Sequence, residues 1–152
     1  MLSMEVRNVE QKVIRGFSTI TNNEAEMTPG KGRIPGLWHH FDQTIPVDYQ
    51  GGERVYGVYS NYESDHTGNF SVLAGFDGKG LPANVDVETV TIPEGKYVVF
   101  SHQGDMPQIA IDAWTSVWEY FTQHQATYTR KFDVDFEHYP NANQIDVYIG
   151  IK

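Results

Sequence analysis

Cysteine is absent from the 152 residues, which excludes disulfides, thiolate metal sites and cysteine nucleophiles. Positive charge is scarce: 11 Lys and Arg stand against 20 Asp and Glu, a net charge of −9, and no basic cluster occurs. Direct nucleic-acid binding through phosphate neutralisation is therefore not expected, and the acidic field favours cationic partners. Long apolar runs are missing too. No transmembrane segment, secretory signal or lipidation motif is present, so the expectation is a cytoplasmic protein without a membrane partner. The histidines at 39, 40, 66, 102, 124 and 138 show no metal-ligand spacing, and His39 and His40 on a helix would face directions about 100° apart. Neither a metal nor a cofactor is expected. Ser-His-Asp patterns, phosphate loops and dinucleotide fingerprints are likewise missing. Gly75-Phe76-Asp77-Gly78-Lys79-Gly80 lacks both the spacing and the following helix.

What is present is an unusual share of rings. Aromatic residues make up 13% of the chain, as nine Tyr, eight Phe and three Trp that need burial, stacking partners or a ligand. The chain also repeats itself. Leu37-Trp38-His39-His40-Phe41 lines up with Val117-Trp118-Glu119-Tyr120-Phe121, an offset of 80 positions. The same offset carries Tyr59 onto Tyr139, Ile20 onto Phe100 and Gly57 onto Glu137. One copy thus holds a carboxylate where its twin has only backbone.

Each half reads as strand, strand, helix, strand, strand. Met4–Val9 and Val85–Val90 alternate apolar and polar, the period of a strand. Second strands run through Val13 to Ile20 and Tyr97 to Phe100, the latter entered by a hairpin-like bend at Pro93-Glu94-Gly95. Ile34, Leu37, Trp38 and Phe41 predict one helical stripe, and Ile111, Trp114, Trp118 and Phe121 another, with Asp105 as N-cap and Pro107 just inside. Hairpins close each half, Arg54–Asn61 with Phe70–Phe76 and Lys131–Tyr139 with Ile145–Ile151. The chain is expected to be one domain over 1–152, with repeat 1 at about 4–77 and repeat 2 at about 84–152, joined by a Gly/Pro linker. Halves of this size cannot bury an apolar face alone and should pack together. The stretch from Thr21 to Arg33 is expected to be irregular, either a lid or a surface connection.

Strand parity sets the candidate site. Phe132, Val134 and Phe136 are expected to meet the helix, with Glu137 and Tyr139 opposite; Ile145, Val147, Ile149 and Ile151 form the core set of the last strand, with Asp146 and Tyr148 opposite. Glu137, Tyr139, Asp146 and Tyr148 would then share one face, with Tyr59 and Leu73 as a facing wall. Aromatic walls and a carboxylate suit an organic cation, which each ring face attracts by about 0.5–2 kcal/mol. Alternating acids also mark a solvated strand face. Trp38 and Trp114 lie on helical apolar stripes, where core packing competes with ligand contact.

The residues that carry a family resemblance are Gly36-Leu37-Trp38-His39-His40-Phe41, Tyr56-Gly57-Val58-Tyr59, Ile92 through Phe100, Phe136-Glu137-His138-Tyr139, and the closing run Ile145 to Lys152. In order and spacing they span nearly the whole chain, which resembles the GyrI-like, AraC-type effector-binding domains. The resemblance implies an α+β fold of internally duplicated βαββ units, with antiparallel strands forming a curved sheet and a central cleft. It implies that Glu137 reaches into that cleft toward cationic, lipophilic aromatic compounds, with Asp146 and Tyr148 matching an acid and a Tyr on the terminal strand. Gly150 stands where the family often has Pro. The expected ligand site is Glu137, Tyr139, Asp146, Tyr148, Tyr59, Trp38 and Trp114, with no catalytic residue. With strand one starting near the N-terminus, a stand-alone module is expected, with a DNA-binding regulator as a candidate protein partner. Two other readings remain: a small-molecule hydrolase using Glu137 and Asp146, and a protein-interaction module of the gyrase-inhibitor kind.

Overall fold

The computed structural model describes residues 3–65, 67–106, 108–122 and 127–152; Pro107, His66 and His124 lie outside them. The alternating N-terminal run forms β1 (Ser3–Val9), and after a break at Glu10-Gln11 comes β2 (Lys12–Thr21). In the second half β5 (Glu88–Ile92) and β6 (Gly95–Gln103) are separated by Pro93-Glu94. These four are two long bent strands lying antiparallel. Ser3 faces Ser101, Val9 faces Gly95, Lys12 faces Ile92 and Gly16 faces Glu88, one register carried unbroken across the bend. The expected hairpin at Pro93-Glu94-Gly95 is therefore corrected. β5 and β6 do not pair with each other: β5 joins β2 of the other half, and β6 joins β1.

The strand expected at Val85–Val90 begins only at Glu88. There the Glu88 carboxylate accepts from the backbone N–H of Ser18 (3.0 Å), taking the place of a ladder partner, and Val85 and Val87 pack as side chains against a core cluster instead.

The segment from Thr21 to Arg33 is not irregular. It carries α1 (Asn23–Met27), whose N-cap Asn22 accepts from the Ala25 N–H at 2.7 Å. Glu26 accepts from the Thr21 hydroxyl (2.6 Å) and from the backbone N–H groups of Arg33 (2.7 Å) and Ile34 (3.2 Å). It thereby caps the next helix, α2 (Ile34–Thr44), which has no side-chain cap of its own at Arg33. These bonds favour the surface connection over a lid. The expected stripe of α2 is in place, with Leu37 and Phe41 buried.

The hairpins follow as β3 (Val55–Ser60) with β4 (Phe70–Phe76), and β7 (Arg130–Asn141) with β8 (Gln144–Ile151). Between β6 and β7 lies α3 (Gln108–Phe121), where the structure turns the expected stripe. Ile109, Ala113 and Val117 are buried, Trp114 and Trp118 flank them, and Ile111 is 55% exposed. The small Ala113 lets the helix settle on this face, which swings Trp114 toward the centre of the sheet.

All eight strands form one antiparallel sheet in the order β1-β6-β8-β7-β3-β4-β2-β5. Exchanging each strand with its repeat partner reverses that order and leaves it unchanged, so an internal two-fold runs between β3 and β7. The helices cover one face, with α3 over Phe100, Val147 and Ile149, and α2 over Val72, Ala74 and Phe76. The opposite face holds a third cluster around Ile14, Val58, Leu73, Ile92, Tyr97 and Phe136, to which the bent ribbon contributes. Both faces of the central strands are buried.

Candidate functional site

The internal axis passes through one residue pair. In the β3–β7 ladder Gly57 lies directly opposite Glu137, the two positions that the repeat superposes. A Cβ at Gly57 would fall against Glu137 Oε1 and within 3.3 Å of Trp38 Cζ2, so the bare backbone makes room for the carboxylate. Tyr59 and Tyr139, equivalent under the repeat, grip its two oxygens. The Tyr59 hydroxyl donates to Oε2 (3.0 Å) and the Tyr139 hydroxyl to Oε1 (2.9 Å). Trp114 Nε1–H adds a third bond to Oε2 at 2.6 Å.

Rings enclose this group. Trp38 meets Tyr139 edge to face at 5.6 Å, and Tyr59 packs against Trp114 at 4.8 Å. Glu137 itself is 3% exposed. Burial pushes its pKa above the ordinary carboxylate value, and the three hydrogen bonds offset this only in part. The Tyr59 and Tyr139 hydroxyls are held well above their ordinary values, first by burial and then by the neighbouring carboxylate, so both remain donors. All three partners are neutral. Among the described residues Glu137 has no ion-pair partner.

Two residues along the same face of β7 a second carboxylate has a different fate. Asp135 is fully buried and pairs with Arg130 at 2.8 Å. It also accepts from the Tyr62 hydroxyl and from the Gly150 N–H at 2.9 Å. Sequence reasoning passed over Arg130 and Tyr62. The only signal was the parity that puts Asp135 beside Glu137.

The seven expected site residues are not all together. Glu137, Tyr139, Tyr59, Trp38 and Trp114 converge on the helix side of the sheet. Asp146 and Tyr148 are on the other side, because Glu137 pairs with Val147 while Phe136 pairs with Tyr148 and His138 with Asp146. The expected shared face is thus corrected: parity was read correctly for β8 and inverted for β7. Phe136 points away from the helices into the third core cluster, where Tyr148 stacks on it at 4.4 Å and 9°. Tyr148 also accepts from Arg7 (2.9 Å). Asp146 lies 3.9 Å from His138; burial works against its charge, and hydrogen bonds led by His138 and Ser101 outweigh burial and lower its pKa. Leu73 too lies on the far face, with Ile14 and Phe136, and is no wall to Tyr59.

Among the described residues no group of three or more His, Asp or Glu is placed to hold a metal ion, and no helix is long and apolar enough to cross a membrane.

A duplicated antiparallel sheet with α2 and α3 on one face is the architecture that the resemblance to effector-binding domains implies. Residues 5–151 match the Cass2 family, integron-associated effector binding protein, and the chain belongs to that family. An integron cassette protein from the mobile metagenome of Vibrio cholerae is 35% identical, with a TM-score of 0.88 over 98% of this chain and 95% of its own. The transcriptional regulator BrlR of Pseudomonas aeruginosa PAO1 is 28% identical over 96% of this chain, which spans 57% of BrlR. The structure of SAV2435 bound to tetraphenylphosphonium shares the fold, with a TM-score of 0.70 at 18% identity over 99% of this chain and 94% of that one.

Proposed function

We propose that this chain is a binding module for lipophilic aromatic cations, with Glu137 as the anionic pole and Trp38, Tyr59, Trp114 and Tyr139 as the walls. One observation carries the reading: Glu137 is 3% exposed and held only by neutral donors. A buried carboxylate without a counter-ion is costly, and a desolvated cation between ring faces offsets that cost as water cannot. The tetraphenylphosphonium held by a protein of the same fold supports this class of ligand. Admission requires Trp38 or Trp114 to swing aside, so indole fluorescence should report it.

The test is a titration with tetraphenylphosphonium and with neutral triphenylphosphine oxide, read by Trp fluorescence. The cation should bind and the neutral compound should bind much more weakly. Glu137→Gln keeps the size of the side chain and one acceptor oxygen while removing its charge, and should weaken the cation by about tenfold or more while leaving the neutral compound unchanged. Equal affinities in wild type and Glu137→Gln would sink the reading. By the same argument, a DNA-binding regulator is the partner that would pass ligand occupancy on to transcription, as the kinship with BrlR supports.

A further inference from the structure

Between Arg130 and Asp135 the β7–β8 register shifts, and Phe132 within that bulge adopts φ 55°, a backbone region unfavourable for an aromatic residue. The bulge turns Arg130 inward, where it is 8% exposed. Its guanidinium carbon lies 4.4 Å from the ring centre of Phe132, 5.5 Å from Tyr62 and 6.0 Å from Trp114. Nη2 bonds Asp135 at 2.8 Å and the Tyr62 hydroxyl at 3.2 Å, while Nε is buried with no hydrogen-bond partner among the described residues. A cation placed for structure alone would be expected to satisfy its donors. This one is held as a ligand would be, by rings and one carboxylate.

The same arrangement recurs beside it. Asp135 and Glu137 are on one face of β7, about 7 Å apart by strand rise, and Trp114 is their common wall. Its ring faces Arg130 and its N–H bonds Glu137. One carboxylate has a cation of the chain's own, and the other has none.

We infer that Arg130 is a resident cation filling the second of two like cation positions, so that the enclosure admits ligands with a single positive charge and refuses those with two. The inference rests on the reading of Glu137 as the ligand pole. A planar dication with charges spaced like the two carboxylates would meet Arg130 where it needs Asp135.

Methyl viologen and N-methyl-4-phenylpyridinium are near-isosteric and differ by one charge. Wild type should take the monocation in preference to the dication by about tenfold or more. Arg130→Ala should reverse that order, and adding Asp135→Asn should abolish the reversal. A separate readout addresses the position itself. Millimolar ethylguanidinium chloride, against sodium chloride, should raise the Tm of Arg130→Ala but not that of wild type or of Arg130→Ala/Asp135→Asn. Should Arg130→Ala not fold in buffer, its recovery in ethylguanidinium is the same readout. An unchanged preference in Arg130→Ala without ethylguanidinium stabilisation overturns the assignment of Arg130 and leaves the Glu137 reading intact. If neither pyridinium binds any variant while ethylguanidinium still stabilises Arg130→Ala, the Glu137 reading falls and the charge selectivity falls with it, leaving only Arg130 as the occupant of a cation position.

Discussion

At the scale of single residues, the charge state of Glu137 decides what the enclosure can hold. Its pKa is raised because burial outweighs three hydrogen bonds. The folded chain therefore keeps this proton to a higher pH than the unfolded chain does. Between the ordinary glutamate value, about 4.3, and the raised one, the folded state binds more protons, so rising pH costs stability there. A cationic ligand needs the ionised form, and its affinity must rise with pH through the same window. Titrating N-methyl-4-phenylpyridinium across mildly acidic pH should show binding lost at a pH above the ordinary glutamate range. Glu137→Gln should give a flat profile, and a wild-type profile equally flat would remove Glu137 from the site. Asp146 shows why position alone was a poor guide. It is an acid of the same hairpin, yet its pKa moves down because hydrogen bonds from His138, Ser101 and Gln144 on the far face outweigh burial and stabilise its ionised form.

Among the elements, the hairpins and both long helices were legible because their apolar periods are strong. β4 occupies Phe70–Phe76 and α2 begins at Ile34, as the spacing predicts. What could not be read was which face of β7 met the helices. Alternation identifies the buried side only when the other side is wet. Here the bent ribbon helps bury the far face, so Phe136 and Glu137 are both inside, on opposite sides. The resemblance singled out Glu137 as an acid that reaches into a ligand cleft, and the structure surrounds it with Tyr59, Trp114 and Tyr139, while parity joined it to Asp146 and Tyr148, which lie across the sheet. The cation–carboxylate pair was invisible because a bulge, with no sequence period, creates it. The segment around α1 was missed for a similar reason: its order comes from one carboxylate reaching forward to a helix start. Glu26→Ala should destabilise the chain by about 1–2 kcal/mol in urea unfolding, with faster amide exchange at Arg33 and Ile34 as the local signature. Unchanged exchange at those two amides would show that Glu26 is not what orders them.

At the scale of the molecule, the halves exchange their first strands. β1 lies on β6 and β5 lies on β2, so each half's sheet is extended by the other's chain. Neither half then contains its own complete fold. Fragments 1–80 and 81–152 should each be unfolded alone by circular dichroism, and mixing them should restore the β-sheet spectrum; a folded single fragment would contradict the exchange. In the intact chain, Trp fluorescence and circular dichroism should trace one coincident unfolding transition. The axis at Gly57 and Glu137 has a consequence for symmetry. Two separate identical copies of one repeat would present either two glutamates or two glycines at that meeting point, and two glutamates would crowd two buried anions into the space of one. A lone acid at the centre therefore requires two halves that differ at this position, and no symmetric dimer of identical repeats could hold it.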